Sequence, residues 1–411
     1  MKKTAALISV LLVVSFFVFR PFVIKVFSGF SGGYTQLASV FFAESSKPEV
    51  LKQVSADAET TGHKVRILIV PGHDAQFSGT SFADISEADL NLQLGKQLAT
   101  LLSKDSKYEV ILARNYSGYN PALEAYFSSK EQSIVDFVKN KKQIMYDLVS
   151  EGKVVLKTNG VHHNIAPRLV VVRLYGINKW ANENKIDLVV HIHFNDYSRK
   201  DSSLPGKYSG FAIYTPEKQY SNSRASDAVA TEVSKQLKTH YPESNMPKED
   251  TGVVEDQDLI AIGSFNTLDP ASMLIEYAYI YEPQLQDVDI RNKIITDMAT
   301  QTYLGIRNFF DDNTPSFAGK FNTPLLPYHW QSVVTKGTQY DDSVLSLQTA
   351  LSSEGLYPPK PLDLHECPLS GTYGRCTSAA ISLFQQKYDL PNTSGLLDSQ
   401  TLAAFEKLYG S

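Results

Sequence analysis

RILIVPGHD, residues 66–74, is the stretch whose reading decides the fold. Ile67 to Val70 are apolar and mostly β-branched, the composition of a strand buried on both faces. Pro71 and Gly72 end the strand. His73 then stands at its carboxyl end, where open α/β sheets place their chemistry. Two later stretches give that histidine company: SEADLNL with Glu87, and VVHIHFND with His193. Two imidazoles and a carboxylate from three separate segments make a three-ligand catalytic zinc set, with a fourth position open to water.

Further strands are expected at Tyr108–Ala113, Ile186–Phe194, Gly210–Tyr214 and in SMLIEYAYI around Met273–Glu276. Glu87–Ser103 carries leucines at 90, 94, 98 and 101, a helical stripe. Ile177–Lys185, Ala225–Thr239 and Ile290–Phe310 also read as helices. Strands alternating with helices predict an α/β fold, a mainly parallel twisted sheet flanked by helices on both faces. The last 80 or so residues predict a small separate domain. Its three helices fall at Val344–Ser353, Thr377–Tyr388 and Ser399–Leu408.

The chain has 411 residues, enough for two or three domains. Apolar content of 43% and charge of 20% are ordinary for globular protein. A net charge of −5 gives no reason to expect nucleic acid. Two cysteines are too few for a cysteine-based metal site.

Thr4 to Phe19 is almost wholly apolar. With Pro21–Phe27 it approaches the roughly 20 residues that span a bilayer. Residues 1–30 are therefore read as a signal anchor or signal peptide, which exports the rest of the chain. Residues 31–63 are polar and small toward their end and read as a linker. Residues 64–311 form the first domain and 312–331, rich in Pro, Gly, Ser and Asn, a second linker. Residues 332–411 form the last domain. Within 120–152, Ile134, Phe137, Val138, Ile144, Met145 and Leu148 recur at spacings of three and four, an amphipathic helical insertion. It reads either as extra core on the side of the sheet or as a cover over the metal cleft.

A metal hydrolase also needs an acid/base to move the water's proton to the leaving group. Glu276 stands in the apolar run MLIEYAYI, where a carboxylate is costly without a partner. It is the candidate.

These residues resemble a known family, the zinc-dependent N-acetylmuramoyl-L-alanine amidases of bacterial cell walls. VPGHD, SEADLNL, RLYGINKWANENKIDLVVHIHFND and LIEYAYI follow that family's four motifs in order across about Val65–Phe310. The resemblance implies that His73, Glu87 and His193 hold Zn2+ and that Glu276 is the catalytic acid/base. It selects His193 over His191, which shares its face of the strand, and Glu87 over Asp89. Val70, Asp74, His191, Ala278 and Tyr279 depart from the family pattern, which touches substrate fit more than metal binding. His162 and His163 read as solvated loop residues.

The last domain resembles the three-helix peptidoglycan-binding domain through Leu347-Gln348, Gly371–Gly374 with Thr377, Phe384-Gln385, and Gly395 to Thr401. Cys367 and Cys376 bracket a short loop there, and in an exported chain they are expected to pair. Closing such a loop contributes roughly 2–3 kcal/mol in the chain-entropy model. The resemblances together imply hydrolysis of the bond between N-acetylmuramic acid and L-alanine, outside the cytoplasm. The implied partners are peptidoglycan, the membrane through the amino-terminal run, and an activator protein acting on residues 120–152. The rival readings are a zinc peptidase cutting within the stem peptide and an inactive wall-binding protein.

Overall fold

The computed structural model describes residues 42–157, 161, 166–311 and 321–410. The amino-terminal apolar run, His162, His163 and residues 312–320 of the second linker lie outside the described residues. In chain order the main elements are α1 (Pro48–Thr61), β1 (Val65–Pro71), α2 (Glu87–Leu102), β2 (Tyr108–Leu112), α3 (Pro121–Ser150), α4 (Arg168–Glu183), β3 (Leu188–Asn195), β4 (Ala212–Pro216), α5 (Ser223–Leu237), β5 (Val253–Asp256), β6 (Ala271–Tyr279) and α6 (Val288–Phe310). Then come α7 (Asp342–Ser353), α8 (Arg375–Lys387) and α9 (Ser399–Tyr409). No helix among the described residues is long and apolar enough to cross a membrane.

The sheet has six strands in the order β2-β1-β3-β6-β4-β5. β2, β1, β3 and β6 run parallel, β4 runs against β6, and β5 is parallel to β4. The sheet is thus mainly parallel, as its alternation with helices predicts. The reversal at β4 follows from its connection. No helix lies between β3 and β4, and a parallel return needs a long crossover, usually helical.

Both faces are covered, which is why the central strands carry apolar residues on both faces. Ile67, Ile69, Val190, Ile192, Met273 and Ile275 pack with residues of α2, α5 and α6. Leu68, Val70 and Val189 pack on the other face with residues of α3 and α4. β1, β3 and β6 are neighbours with a shared direction, so their carboxyl ends come out side by side.

Four stretches differ from their sequence reading. Residues 48–61, taken as linker, form α1, with Leu51, Ser55 and Ala58 buried. Its stripe is narrow, one leucine with two small residues, so it carries little periodic signal. Gly62, at φ 72°, ends it with a left-handed cap. α4 begins at Arg168, well before Ile177. Its first turns contain Val170, Val171 and Val172, β-branched residues that disguise a helix. β5 had no clear signal.

The fourth difference concerns the insertion. α3 spans Pro121–Ser150 and buries Leu123, Phe127, Ile134 and Met145. Phe127 and Ile134 crowd Gly176 of α4, where an added Cβ would meet Phe127 at 2.9 Å and Ile134 at 3.1 Å. Lys141 donates to the Asn266 carbonyl (2.9 Å). Ile144, on the expected stripe, is instead 45% exposed. The helix rests on α4. Ile134→Ala should therefore cost about 2–5 kcal/mol, and Ile144→Ser about 0.5 kcal/mol or less, read by denaturant unfolding. Equal losses would contradict this packing.

The carboxyl-terminal domain shares one core with the sheet domain. Thr323 donates to buried Asp297 (2.7 Å), which also accepts from Tyr241 (2.8 Å) and pairs with His240. Lys293 pairs with Asp342 (3.2 Å). Cys367 and Cys376 are joined by a disulfide.

Candidate active site

The end of β1 is shaped around its histidine. The Gly72 N–H donates to the Ile192 carbonyl, which carries the pairing with β3 one residue past Pro71. His73 then turns into the left-handed region at φ 62°, uncommon for a residue with a side chain. Asp74 fixes that turn: its Oδ1 accepts from the N–H groups of Gln76 and Phe77, both at 2.8 Å. The chain loops out, and Glu87 N–H donates to the Thr80 carbonyl as α2 begins.

Glu87 is buried at the first turn of α2. Its Oε2 lies 3.2 Å from His73 Nε2, and its Oε1 lies 3.0 Å from His193 Nδ1. Thr80 N–H also donates to Oε2 (3.0 Å), and Asn91, one turn along, donates to Oε1 (3.4 Å). Burial alone would push the Glu87 carboxyl up, but the hydrogen bonds to His193 and His73 outweigh it and hold the group well below its ordinary range.

His73, Glu87 and His193 each offer a ligand atom, and these atoms lie within 4.8 Å of one another. The surroundings fit a metal ion. A Cβ on Gly72 would meet the His193 ring at 2.2 Å, and one on Gly79 would meet Glu87 Oε2 at 2.3 Å. Two glycines thus leave room for the donor set to close in, and the donors are those of an open catalytic metal site.

The alternatives weighed in the sequence fall elsewhere. His191 is buried, its Nε2 has no partner among the described residues, and it is not in the cluster. Burial, with repulsion from His193, lowers its pKa to about 3, so it stays neutral. Asp89 is exposed on α2.

Glu276 pairs in register with His193 across β6 and β3. Its Oε2 is buried without a partner. Burial, then repulsion from Glu87 and Glu249, raises its proton affinity well above that of an ordinary carboxyl. It lines a cleft with Asn195, Tyr197, Tyr214 and Glu249, to which α3 contributes nothing.

Two supporting residues were not found from the sequence. Arg114 is buried and donates to the carbonyls of Pro71 (2.9 Å), Gly72 (2.9 Å) and Ala88 (2.8 Å), tying the end of β1 to the start of α2. An arginine directly after the apolar run YEVILA was the available signal. Glu249 is buried and accepts from Tyr214, Ser244 (2.6 Å), Tyr279 (3.1 Å) and Asn195 (3.3 Å). Nothing in its polar surroundings marked it. Asp74, a departure from the family pattern, pairs with Arg173 at 3.2 Å.

Residues 67–308, more than half of the chain, match the family model described as N-acetylmuramoyl-L-alanine amidase. Residues 340–405 match that of a peptidoglycan-binding domain. Among solved structures, the CwlD amidase of Clostridioides difficile, determined with the GerS lipoprotein, is 18% identical; the match covers 60% of this chain and 98% of that one at a TM-score of 0.37. The N-acetylmuramoyl-L-alanine amidase AmiC2 of Nostoc punctiforme is also 18% identical, covering 60% and 96%, at a TM-score of 0.36. No curated protein matches the chain. The family model and the gathered His73, Glu87 and His193 agree with each other, and the chain belongs to the N-acetylmuramoyl-L-alanine amidase family.

Proposed function

We propose that the chain hydrolyses the amide joining the lactyl group of N-acetylmuramic acid to the L-alanine of the stem peptide, with zinc held by His73, Glu87 and His193 and with Glu276 as acid/base. The observation that carries this reading is the convergence of those three donors beside a buried, unpartnered Glu276 oxygen. Zinc at that position would supply an acidified water and polarise the scissile carbonyl. The remaining work falls to the chain. Glu276 takes a proton from the attacking water and hands it to the departing amide nitrogen, so that the stem peptide leaves as a free amine. Its raised proton affinity suits a group that must hold a proton between two transfers. Glu249, which accepts hydrogen bonds from four side chains, is held in a fixed position beside it. Arg114 holds the loop and helix that carry His73 and Glu87 at a fixed separation.

The carboxyl-terminal domain, residues 332–411, would hold the enzyme on peptidoglycan, and docking there raises the local concentration of bonds to cut. The apolar run Thr4–Phe19 would tether the exported chain to the membrane. An activator acting on residues 120–152 would work through the packing of α3 on α4.

A peptidoglycan digest read by mass spectrometry tests the reaction. Stem peptides that begin with free L-alanine are the expected products. Fragments cut within the stem would indicate a peptidase, and an undigested wall would indicate a binding protein.

A further inference from the structure

Beyond Asn195 the chain crosses the carboxyl edge of the sheet as residues 196–209, and this segment is held firmly. Asp196 accepts from Thr80 Oγ1 (2.5 Å) and pairs with Arg199 (3.0 Å). The Arg199 guanidinium lies over the rings of Phe82 (5.1 Å) and Tyr281 (5.5 Å). Gly206 passes so close to Tyr281 that a Cβ would meet its ring at 2.4 Å. The segment carries two tyrosines, Tyr197 exposed and Tyr208 half-buried against the core. Tyr197 and Tyr208 meet edge to face at 4.6 Å, and Lys207 Nζ lies 4.5 Å from the Tyr208 ring and 5.5 Å from that of Tyr197.

This ledge has something functional at each end. Tyr197 is 38% exposed and lines the same cleft as Glu276. At the other end, Ser209 Oγ and His365 Nδ1 of the carboxyl-terminal domain are 2.7 Å apart. Between the cleft and that domain the chain thus presents the exposed Tyr197 ring, the half-buried Tyr208 ring and the Lys207 ammonium group. Rings of this kind give a rigid apolar face with a polar rim. A pyranose has the matching surface, with C–H groups on its face and hydroxyl and acetamido groups at its edge. A stem peptide, flexible and acidic, would call for charge rather than ring faces.

We propose that Tyr197, Tyr208 and Lys207 form a subsite for amino-sugar rings of the glycan strand, next to the bond that is cut. The proposal rests on the amidase reading and adds to it a source of remote binding energy. The test compares kcat/KM of the full chain on two uncrosslinked substrates: a single N-acetylmuramoyl-peptide, and strands of several disaccharides bearing the same peptide. The wild type should prefer the strands by about tenfold, a stacked ring's worth of binding. Tyr197→Leu should lose most of that preference, and Tyr197→Phe, which keeps the ring face, should retain it. Lys207→Ala, at an exposed position, should lower the preference several-fold and decides the matter if Tyr197→Leu folds poorly. A strand-to-monomer ratio that is unchanged in Tyr197→Leu and Lys207→Ala would overturn the subsite. A wild type that cuts neither substrate would instead overturn the amidase reading.

Discussion

Replacing Glu276 by glutamine is expected to cut turnover on peptidoglycan by about 10²–10⁴-fold, the usual worth of a positioned acid/base, with metal content unchanged. The amide has the size of the carboxyl and keeps the packing of β6, but it can neither take nor deliver the proton. His73→Ala should lose metal and activity together, because two donors hold an ion poorly. The contrast between these two variants separates proton transfer from metal binding. Metal analysis and a muropeptide assay read it, and a Glu276→Gln enzyme working at near wild-type rate would remove Glu276 from the chemistry. The metal-free proteins provide an independent check through pH. In the folded chain Glu276 keeps its proton well above the ordinary value of 4.5. The unfolded chain releases that proton first as pH rises, so this group makes stability fall from about pH 4.5 upward until its raised folded pKa is passed. Glu276→Gln has no such proton to lose, so its advantage in unfolding midpoint over the wild type should be larger at pH 7 than at pH 5.

Most of the fold, and the residues proposed for the site, could be read from local pattern, because each proposed donor sits where a strand or helix signal is strong. His73 follows an apolar β-branched run, His193 lies inside another, Glu276 lies inside a third, and Glu87 opens a helix with a leucine stripe. The family motifs then chose His193 over His191, which periodicity alone could not do, since both point to one face. What stayed hidden depends on chain folding back on itself. Arg114 matters because three carbonyls from two segments converge on it. Glu249 gains its role only when Tyr214, Tyr279, Ser244 and Asn195 surround it. α1 is hard to read because Leu51 shares its buried face only with Ser55 and Ala58, and serine or alanine does not announce burial. The exposure of Ile144 shows the reverse case, an apolar residue at helical spacing that the packing of α3 on α4 leaves in solvent.

Gly72→Ala should weaken metal binding without removing any donor, by about 10–100-fold, the range seen when a ligand's support is disturbed. Gly72 is followed directly by one proposed ligand, His73, and lies against another, His193. A methyl group added there would sit 2.2 Å from both Cε1 and Nε2 of the His193 ring, far inside contact distance. The ring cannot move aside freely, because its Nδ1 is 3.0 Å from Glu87 Oε1 and its strand is paired on both sides. Something in the donor set must therefore shift. The backbone itself should accept alanine: Gly72 is not among the glycines with positive φ, and its N–H can still donate to the Ile192 carbonyl. The variant should fold, which distinguishes it from a loss caused by collapse of β1. Chelator competition on the purified protein gives the affinity, and far-UV spectra with a thermal unfolding scan give the fold. A Gly72→Ala chain that resists chelation as well as the wild type would mean that the close approach of Gly72 to His193 does not set the geometry of the site. A chain that has lost metal but kept its fold would place the requirement for glycine in the VPGHD motif on the ring of His193, a residue 121 positions further along the chain.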